Sequence, residues 1–570
     1  MTIGVAPAEL SGAKRMRARF PGVSLTAKNR AARELYAPIL LMAACLAAQL
    51  TLVFSKSFNW DEFLHFSFIY QIDAGTFSQP FQVFHLRLLA WAPHAAANLL
   101  DQMRAARLAI WGVHLATLLL IFGTARQFAK ASTAFFAAFA YLTAGYVFTQ
   151  GFSIRGDPIV AATLMLALFL MAKGEHGWAK AAAIGALVGL AGMMTFKTLF
   201  YAPCFAGLAW LQYRDAGGKR QFMGKLALVA GAAALSFTAV YFYHTWNFAA
   251  APARLRNPAT ASFYLRWLRF DMPFAGVIGR EIVRAPLFFI SAALAPFAWK
   301  KAGLKADARV ALAGFLLPLA ALLFYRNTFP YLFVFLLAPV AVAIAPALEM
   351  IRERYGALLL SVALAALPLT MAVLEPRDVL AKQQALVDYV HREYPAKTGY
   401  LDYSGMISDY PRVLEYLTSG NGIRLYNETG DPILGREIDR GNVPFIIANH
   451  YSIEEALEGR PLPGTFLAAD LAAMQGNYVR QWGVLWREGS AIPAGARPYI
   501  FRLRRGGDFV LSSGPLTIDG AAVEPREKVR LGKGAHSVAG GRAGSAVLWR
   551  GERLPSPPPK IEMTDVFTDY

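Results

Sequence analysis

Apolar runs of roughly 15–22 residues recur along the first two-thirds of the chain, each closed by polar or basic positions. Runs of that length cross a hydrocarbon core as helices. The pattern predicts about eleven spans, near 36–55, 105–125, 130–149, 158–172, 179–196, 198–212, 225–243, 285–299, 308–325, 331–350 and 356–374. Two long intervals interrupt them, 56–104 and 244–284. The first holds the semi-apolar stretch FQVFHLRLLAWAP, which predicts helices lying on the membrane surface.

From about Glu375 the pattern becomes that of a water-facing region. AKQQALVDYVHREY has the period of an amphipathic helix, and GYLDYS and VPFIIANH read as short strands, the second followed by a helical stretch, Ser452–Leu457. Beyond it, RGGDFVLSSGPLTIDGAAVEP and VRLGKGAHSVAGG alternate strands with Gly-rich turns, including a D-G hairpin signal. The expected organisation is a basic N-terminus (1–35), a membrane domain (36–375), an α/β domain (376–500), a small β module (501–554) and a Pro-rich tail (555–570). No internal repeat is visible, which counts against the repeated-half folds of secondary transporters.

Composition agrees: 56% of the 570 residues are hydrophobic and only 17% charged. The net charge of +19 is clustered. Lys14, Arg15, Arg17, Arg19, Lys28, Arg30 and Arg33 precede the first span, and Arg214, Lys219, Arg220, Lys225, Lys300, Lys301, Lys305, Arg309, Arg352 and Arg354 crowd alternate loops. The positive-inside rule puts these in the cytoplasm, so the charge is topogenic and lipid-facing and no nucleic-acid partner is expected. With eleven spans the C-terminal region lies outside. The first span reads as a retained anchor, because a long basic stretch precedes it and no small-residue cleavage site follows. Cys45 and Cys204 both fall inside spans, so no disulfide framework exists. The interval 244–284 departs from the charge rule, with Arg254, Arg256, Arg266, Arg269, Arg280 and Arg284 on the outer side.

Candidate chemistry gathers on that outer face. SFNWDEFLHF follows the first span and sets Asp61 and Glu62 among Trp60, Phe63 and Phe66. A solvated helix start would explain the acids, yet carboxylates held against apolar surface are costly unless used. In TQGFSIRGDP, Asp157 and Pro158 read as a helix N-cap and first position, with Arg155 able to neutralise the acid. Lys197 and Arg326 stand at outer turns, where snorkelling is the plain explanation. Their convergence on one face favours a site.

The stretch WDEFLHFSFIYQIDAGTF resembles the first outward loop of the GT-C glycosyltransferases, nearest the protein O-mannosyltransferases and lipid A aminoarabinose transferases. RGDPIVAATLMLALFL is similar to their second-loop acid, and GALVGLAGMMTFKTLFYAP to their Gly-rich fifth span with its Lys and following Pro. The likeness covers the first 210 or so residues; the His-Pro-Pro step of the mannosyltransferases is absent, with His85 in FHLRL standing nearby. The resemblance implies a GT-C-like polytopic α-helical membrane protein with an extracytoplasmic α/β and β region. It implies an inverting transferase whose donor is a polyprenyl-phosphate-linked sugar and whose acceptor is an extracytoplasmic glycan, lipid or protein. Ala and Arg richness points to a bacterial inner membrane and an undecaprenyl-type donor.

Elementary chemistry is consistent with this. No D-x-D motif holds a nucleotide diphosphate through a metal, and no phosphate-binding P-loop is present. Polyprenyl phosphate leaves readily, so the site needs one base and cations rather than a general acid. Asp61 is the expected base, with Glu62 holding or tuning it and Asp157 orienting acceptor or metal. Lys197, Arg155 and Arg326 are the expected phosphate partners. His65 and His85 are possible supports. As metal ligands they lack a third partner at recognisable spacing, so no cofactor is required and a divalent metal is left open. Two rivals remain at this stage: a flippase or transporter of a lipid-linked saccharide, and a scaffold whose outward region does the work.

Overall fold

The computed structural model describes residues 25–79, 81–174, 177–215, 218–246, 248, 268–414, 420–495, 497–539 and 544–567. Lys14, Arg15, Arg17 and Arg19 of the basic N-terminus, and Arg254, Arg256 and Arg266 of the Arg-rich interval, lie outside the described residues.

The membrane domain is built from α1 (Leu25–Ser55), α2 (Trp60–Asp73), α3 (Leu99–Ala125), α4 (Ala131–Leu142), α5 (Gly145–Gln150), α6 (Gly156–Ala172), α7 (Trp178–Met194), α8 (Ala202–Asp215) and α9 (Lys219–Thr245). It continues through α10 (Ala275–Arg284), α11 (Pro286–Lys301), α12 (Ala306–Leu316), α13 (Ala321–Phe324), α14 (Leu332–Tyr355) and α15 (Ala357–Leu374). Each of the eleven expected segments is helical, but among the described residues only six helices are long and apolar enough to span a membrane. A seventh arises if α10 and α11, bent by 93°, count as one. The shortfall has a physical cause. α4, α6 and α7 are apolar but short, and the 130–149 segment breaks between α4 and α5. Such breaks are tolerated because α4 and α5 are packed inside protein, where neighbouring groups satisfy the backbone.

α14 is the axis of the bundle. Every residue from Leu332 to Leu348 is buried, and α3, α4, α6, α11 and α12 pack around it. Pro339 lies inside it and has no N–H to give the carbonyl of Phe335. The Tyr201 hydroxyl donates to that oxygen instead, at 2.6 Å. α7 and α9 approach through small residues, and a Cβ added at Gly189 would lie 2.1 Å from the Ala233 carbonyl oxygen.

The C-terminal region starts with α16 (Asp378–Glu393) and carries β1 (Phe445–Ile447), β2 (Tyr478–Trp482), β3 (Leu485–Ile492), β4 (Tyr499–Leu503), β5 (Gly507–Leu511), β6 (Leu516–Ile518), β7 (Ala521–Val523), β8 (Lys528–Leu531), β9 (Gly534–Ala539) and β10 (Ala546–Arg550). One antiparallel sheet runs β1-β3-β10-β5-β8 with β2 also on β3; a second runs β4-β9-β6-β7. Because β10 pairs with the second half of β3, one sheet crosses the boundary expected at residue 500. The D-G signal is a hairpin between β6 and β7, with positive φ at both Asp519 and Gly520. GYLDYS forms only isolated bridges, at Tyr400 and Leu401.

Two further expectations are corrected. The stretch around FQVFHLRLLAWAP forms short 3-10 helices whose Phe84, His85, Leu86 and Leu89 are buried in protein rather than resting on lipid. The C-terminal tail returns to the bundle: the Gln383 amide of α16 donates to the Val566 carbonyl at 2.8 Å, and Phe567 meets Phe63 edge to face at 6.0 Å. Phe63, Phe66 and Ile69 of α2 share one apolar core with Leu386 and Val390 of α16, Phe445, Leu485 and Val566. α2 is therefore held between the membrane bundle and the C-terminal region.

Candidate active site

The site is set by the start of α2. Asn59 caps the helix by accepting the Glu62 N–H at 3.0 Å, and the Glu62 carboxylate accepts the Asn59 N–H in return at 3.1 Å. The same carboxylate takes Arg107 of α3 in a two-pronged pair, Nε at 2.7 Å and a terminal nitrogen at 2.5 Å, and also accepts the Ile154 N–H at 3.1 Å. Arg107 donates in addition to the carbonyls of Lys56 and Ser57 and lies 3.8 Å over the Phe58 ring. Glu62 and Arg107 are both fully buried. Glu62 is thus a clamp joining α2, α3 and the 151–155 turn.

Asp61 points elsewhere. Its carboxylate pairs with Arg155, whose guanidinium also lies 3.5 Å from Asp157 Oδ2. Asp157 Oδ1 accepts from Lys197 Nζ. The four groups form an alternating file, acid–base–acid–base, and all four residues are buried. The file rests on Tyr331, the residue before α14: the Arg155 guanidinium is 3.2 Å from its ring centroid and Lys197 Nζ 5.5 Å. Lys197 is presented by the 3-10 turn Phe196–Tyr201, which Tyr201 pins to α14. The helix cap at Asp157 differs from expectation. Arg155 occupies the N-cap position without capping the helix through its side chain, and Asp157 sits inside the first turn of α6, where the helix dipole favours an anion.

Asp61 lies outside the spans, and burial raises its carboxyl above the ordinary aspartate range. Arg155 pulls in the opposite direction, while the charges of Asp157 and Glu62 add to the rise. His65 and His85 stand beside the file with ring centroids 5.2 Å apart. His65 Nδ1 is 2.9 Å from the Ile154 carbonyl oxygen, so it donates there. Burial, then the Arg155 charge, lower both imidazoles, His85 to about 3, and keep them neutral. His85 is packed against Gly156, and among the described residues neither of its ring nitrogens has a hydrogen-bond partner.

Asp61, Arg155, Asp157, Lys197, His65 and His85 therefore come together, with Glu62 immediately behind them. Arg326 does not join them: it pairs with Asp271 at 2.9 Å and is about one-third exposed. Among the described residues no group of three His, Cys, Asp or Glu side chains could hold a metal ion. Arg107 and Tyr331 were missed from sequence. An Arg inside an apolar run was the available signal for Arg107; nothing local marks Tyr331.

The chain is similar to several solved structures. ArnT from Cupriavidus metallidurans bound to undecaprenyl phosphate is 17% identical, with 71% of this chain and 81% of that chain covered and a TM-score of 0.44. The oligosaccharyltransferase AglB of Archaeoglobus fulgidus, in complex with an inhibitory peptide and a dolichol-phosphate, is 11% identical over 87% of this chain and 74% of that one, with a TM-score of 0.47. The apo form of an Archaeoglobus fulgidus oligosaccharyltransferase is 11% identical over 78% and 73%, also with a TM-score of 0.47. No family model matches the sequence, and no curated protein does.

Proposed function

We propose that the chain is an inverting GT-C-type glycosyltransferase that takes a sugar from a polyprenyl-phosphate donor and delivers it to an acceptor hydroxyl at the outer face of a bacterial inner membrane. On this reading the N-terminus is cytoplasmic and the region after Glu375 is external. The observation that carries it is the buried file Asp61–Arg155–Asp157–Lys197 beneath the junction of bundle and outward region. Buried ion pairs contribute little stability relative to apolar packing, so a file of four is better explained by use.

The file suits phosphate chemistry through exchange of partners. A donor phosphate entering beside Arg155 and Lys197 competes with Asp61 and Asp157 for their charge. Asp61 then loses its cation and, already raised in basicity by burial, can accept the acceptor hydroxyl's proton. The acceptor oxygen forms its bond to the anomeric carbon as the bond from that carbon to the phosphate oxygen breaks. The electron pair departs with polyprenyl phosphate, held by Arg155 and Lys197. His85, neutral and in contact with Gly156, is placed to donate to a phosphate or sugar oxygen.

The test is transfer from radiolabelled polyprenyl-phosphate sugars in membranes holding equal amounts of wild type or Asp61→Asn. A drop of about 10²–10⁴-fold is expected for loss of a general base. Equal transfer by both would remove Asp61 from the chemistry, and no transfer from any donor by wild type would overturn the reading.

A further inference from the structure

A connected file of aromatic rings leads away from the ion pairs to the surface. It begins at Tyr331 under Arg155 and passes to Phe329 (5.7 Å between centroids), Trp60 (6.4 Å) and Tyr403 (6.0 Å). It continues to His450 (3.9 Å, planes within 8°) and ends at Tyr451 (4.2 Å). Exposure rises along it. Tyr331 is buried, the four middle rings are half-buried, and Tyr451 is 63% exposed. Four separate pieces of chain contribute: the turn before α14, the start of α2, and two loops of the outward region. Rings serving only as core would be covered, whereas contiguous apolar surface left open beside a reaction centre marks a binding place.

The outer rings are held rigidly. Asp402, fully buried, accepts the N–H groups of Gly405 (2.8 Å) and Met406 (2.7 Å) and the Asn449 amide (3.1 Å). Asn449 accepts the Tyr403 N–H at 2.9 Å, so the loops carrying Tyr403 and His450 are tied together at their base. Burial lowers the His450 imidazole to about 4, which leaves a neutral ring stacked on Tyr403.

The chemistry of the file selects its occupant. All its rings except Phe329 carry a polar edge atom, a hydroxyl or a ring nitrogen, beside an apolar face. Sugars offer the complement: C–H faces that lie on aromatic rings and equatorial hydroxyls that reach their edges. A polyprenyl chain has only the first. We propose that this file is an acceptor track for a carbohydrate chain, whose rings stack from Tyr451 inward so that the leading hydroxyl arrives at Asp61. The direction of threading rests on the glycosyltransferase reading; the binding itself does not.

The test uses the detergent-purified full chain without donor. The probes are immobilised linear oligosaccharides of glucose, mannose, galactose, rhamnose and N-acetylglucosamine, with unglycosylated peptides in parallel. Retention on at least one saccharide series is expected, tightening with chain length. Tyr451→Ala, at an exposed position, and Trp60→Ala each weaken it about tenfold or more, while Ile500→Ala, at an exposed position of β4 outside the file, binds as wild type does. Retention on peptides alone, on nothing, or equally by Tyr451→Ala overturns the track. Saccharide binding by a wild type that transfers from no donor would sink the transferase reading and leave the track standing.

Discussion

Asp61 and Glu62 are sequence neighbours with opposite surroundings, because a helix turns by about 100° per residue. Glu62 faces α3 and is saturated by Arg107, Asn59 and Ile154, while Asp61 faces α6 and shares one cation with Asp157. Glu62→Ala strands Arg107 in the interior and is expected to cost about 3–5 kcal/mol, read as a lower thermal midpoint in detergent. The histidines give a second residue-scale expectation. His85 binds its proton more weakly folded than unfolded, so its contribution is intact above the ordinary imidazole value of about 6.5 and is lost as pH falls toward about 3. At about pH 5 that loss is roughly 2 kcal/mol, and His85→Leu should reduce the fall in thermal stability between about pH 8 and pH 5, leaving the part due to the other lowered imidazoles, His65 and His450 among them. An unchanged slope would contradict it. The acids, Arg155 and Lys197 were legible in sequence because they break apolar patterns at span ends. Arg326 stands at a span end as well, but a charge there says nothing of its partner, here Asp271. That Glu62 is a clamp was illegible, because Arg107 reaches it from 45 residues away.

At the scale of elements, the site is held by what proline removes. Pro339 leaves the Phe335 carbonyl without its helical donor, and Tyr201 supplies one. The bond fixes the 3-10 turn that carries Lys197 against α14, whose preceding residue, Tyr331, lies under Arg155. Tyr201→Phe should cost about 1–3 kcal/mol and lower transfer through misplacement of Lys197, with donor affinity falling more than the acceptor's. Equal stability and activity would show the bond to be idle. The helices themselves were legible from apolar run length, and the Gly spacing of α7 from its small residues. Their number as full spans was not, because a short helix inside a bundle and a spanning helix look alike in sequence until the neighbours that bury it are known.

At the scale of the whole molecule, the C-terminal region is packed against the candidate site rather than hanging from the bundle as an appendage. α2 is packed between the bundle and the C-terminal sheet, the tail closes on Phe63, and Tyr403 brings the C-terminal loops against Trp60. β3 and β10 pair across 53 residues of intervening chain, so one sheet crosses residue 500, a link beyond the reach of local patterning. The account stands on the exchange of partners at Arg155, and this has a direct reading. Purified wild type and Asp61→Asn are compared for equilibrium binding of a polyprenyl-phosphate sugar and for transfer in a single turnover. Removing the Asp61 charge frees Arg155 for phosphate, so the account predicts binding at least as tight as wild type with transfer reduced by about 10²-fold or more. Weaker donor binding, or transfer at the wild-type rate, would contradict it.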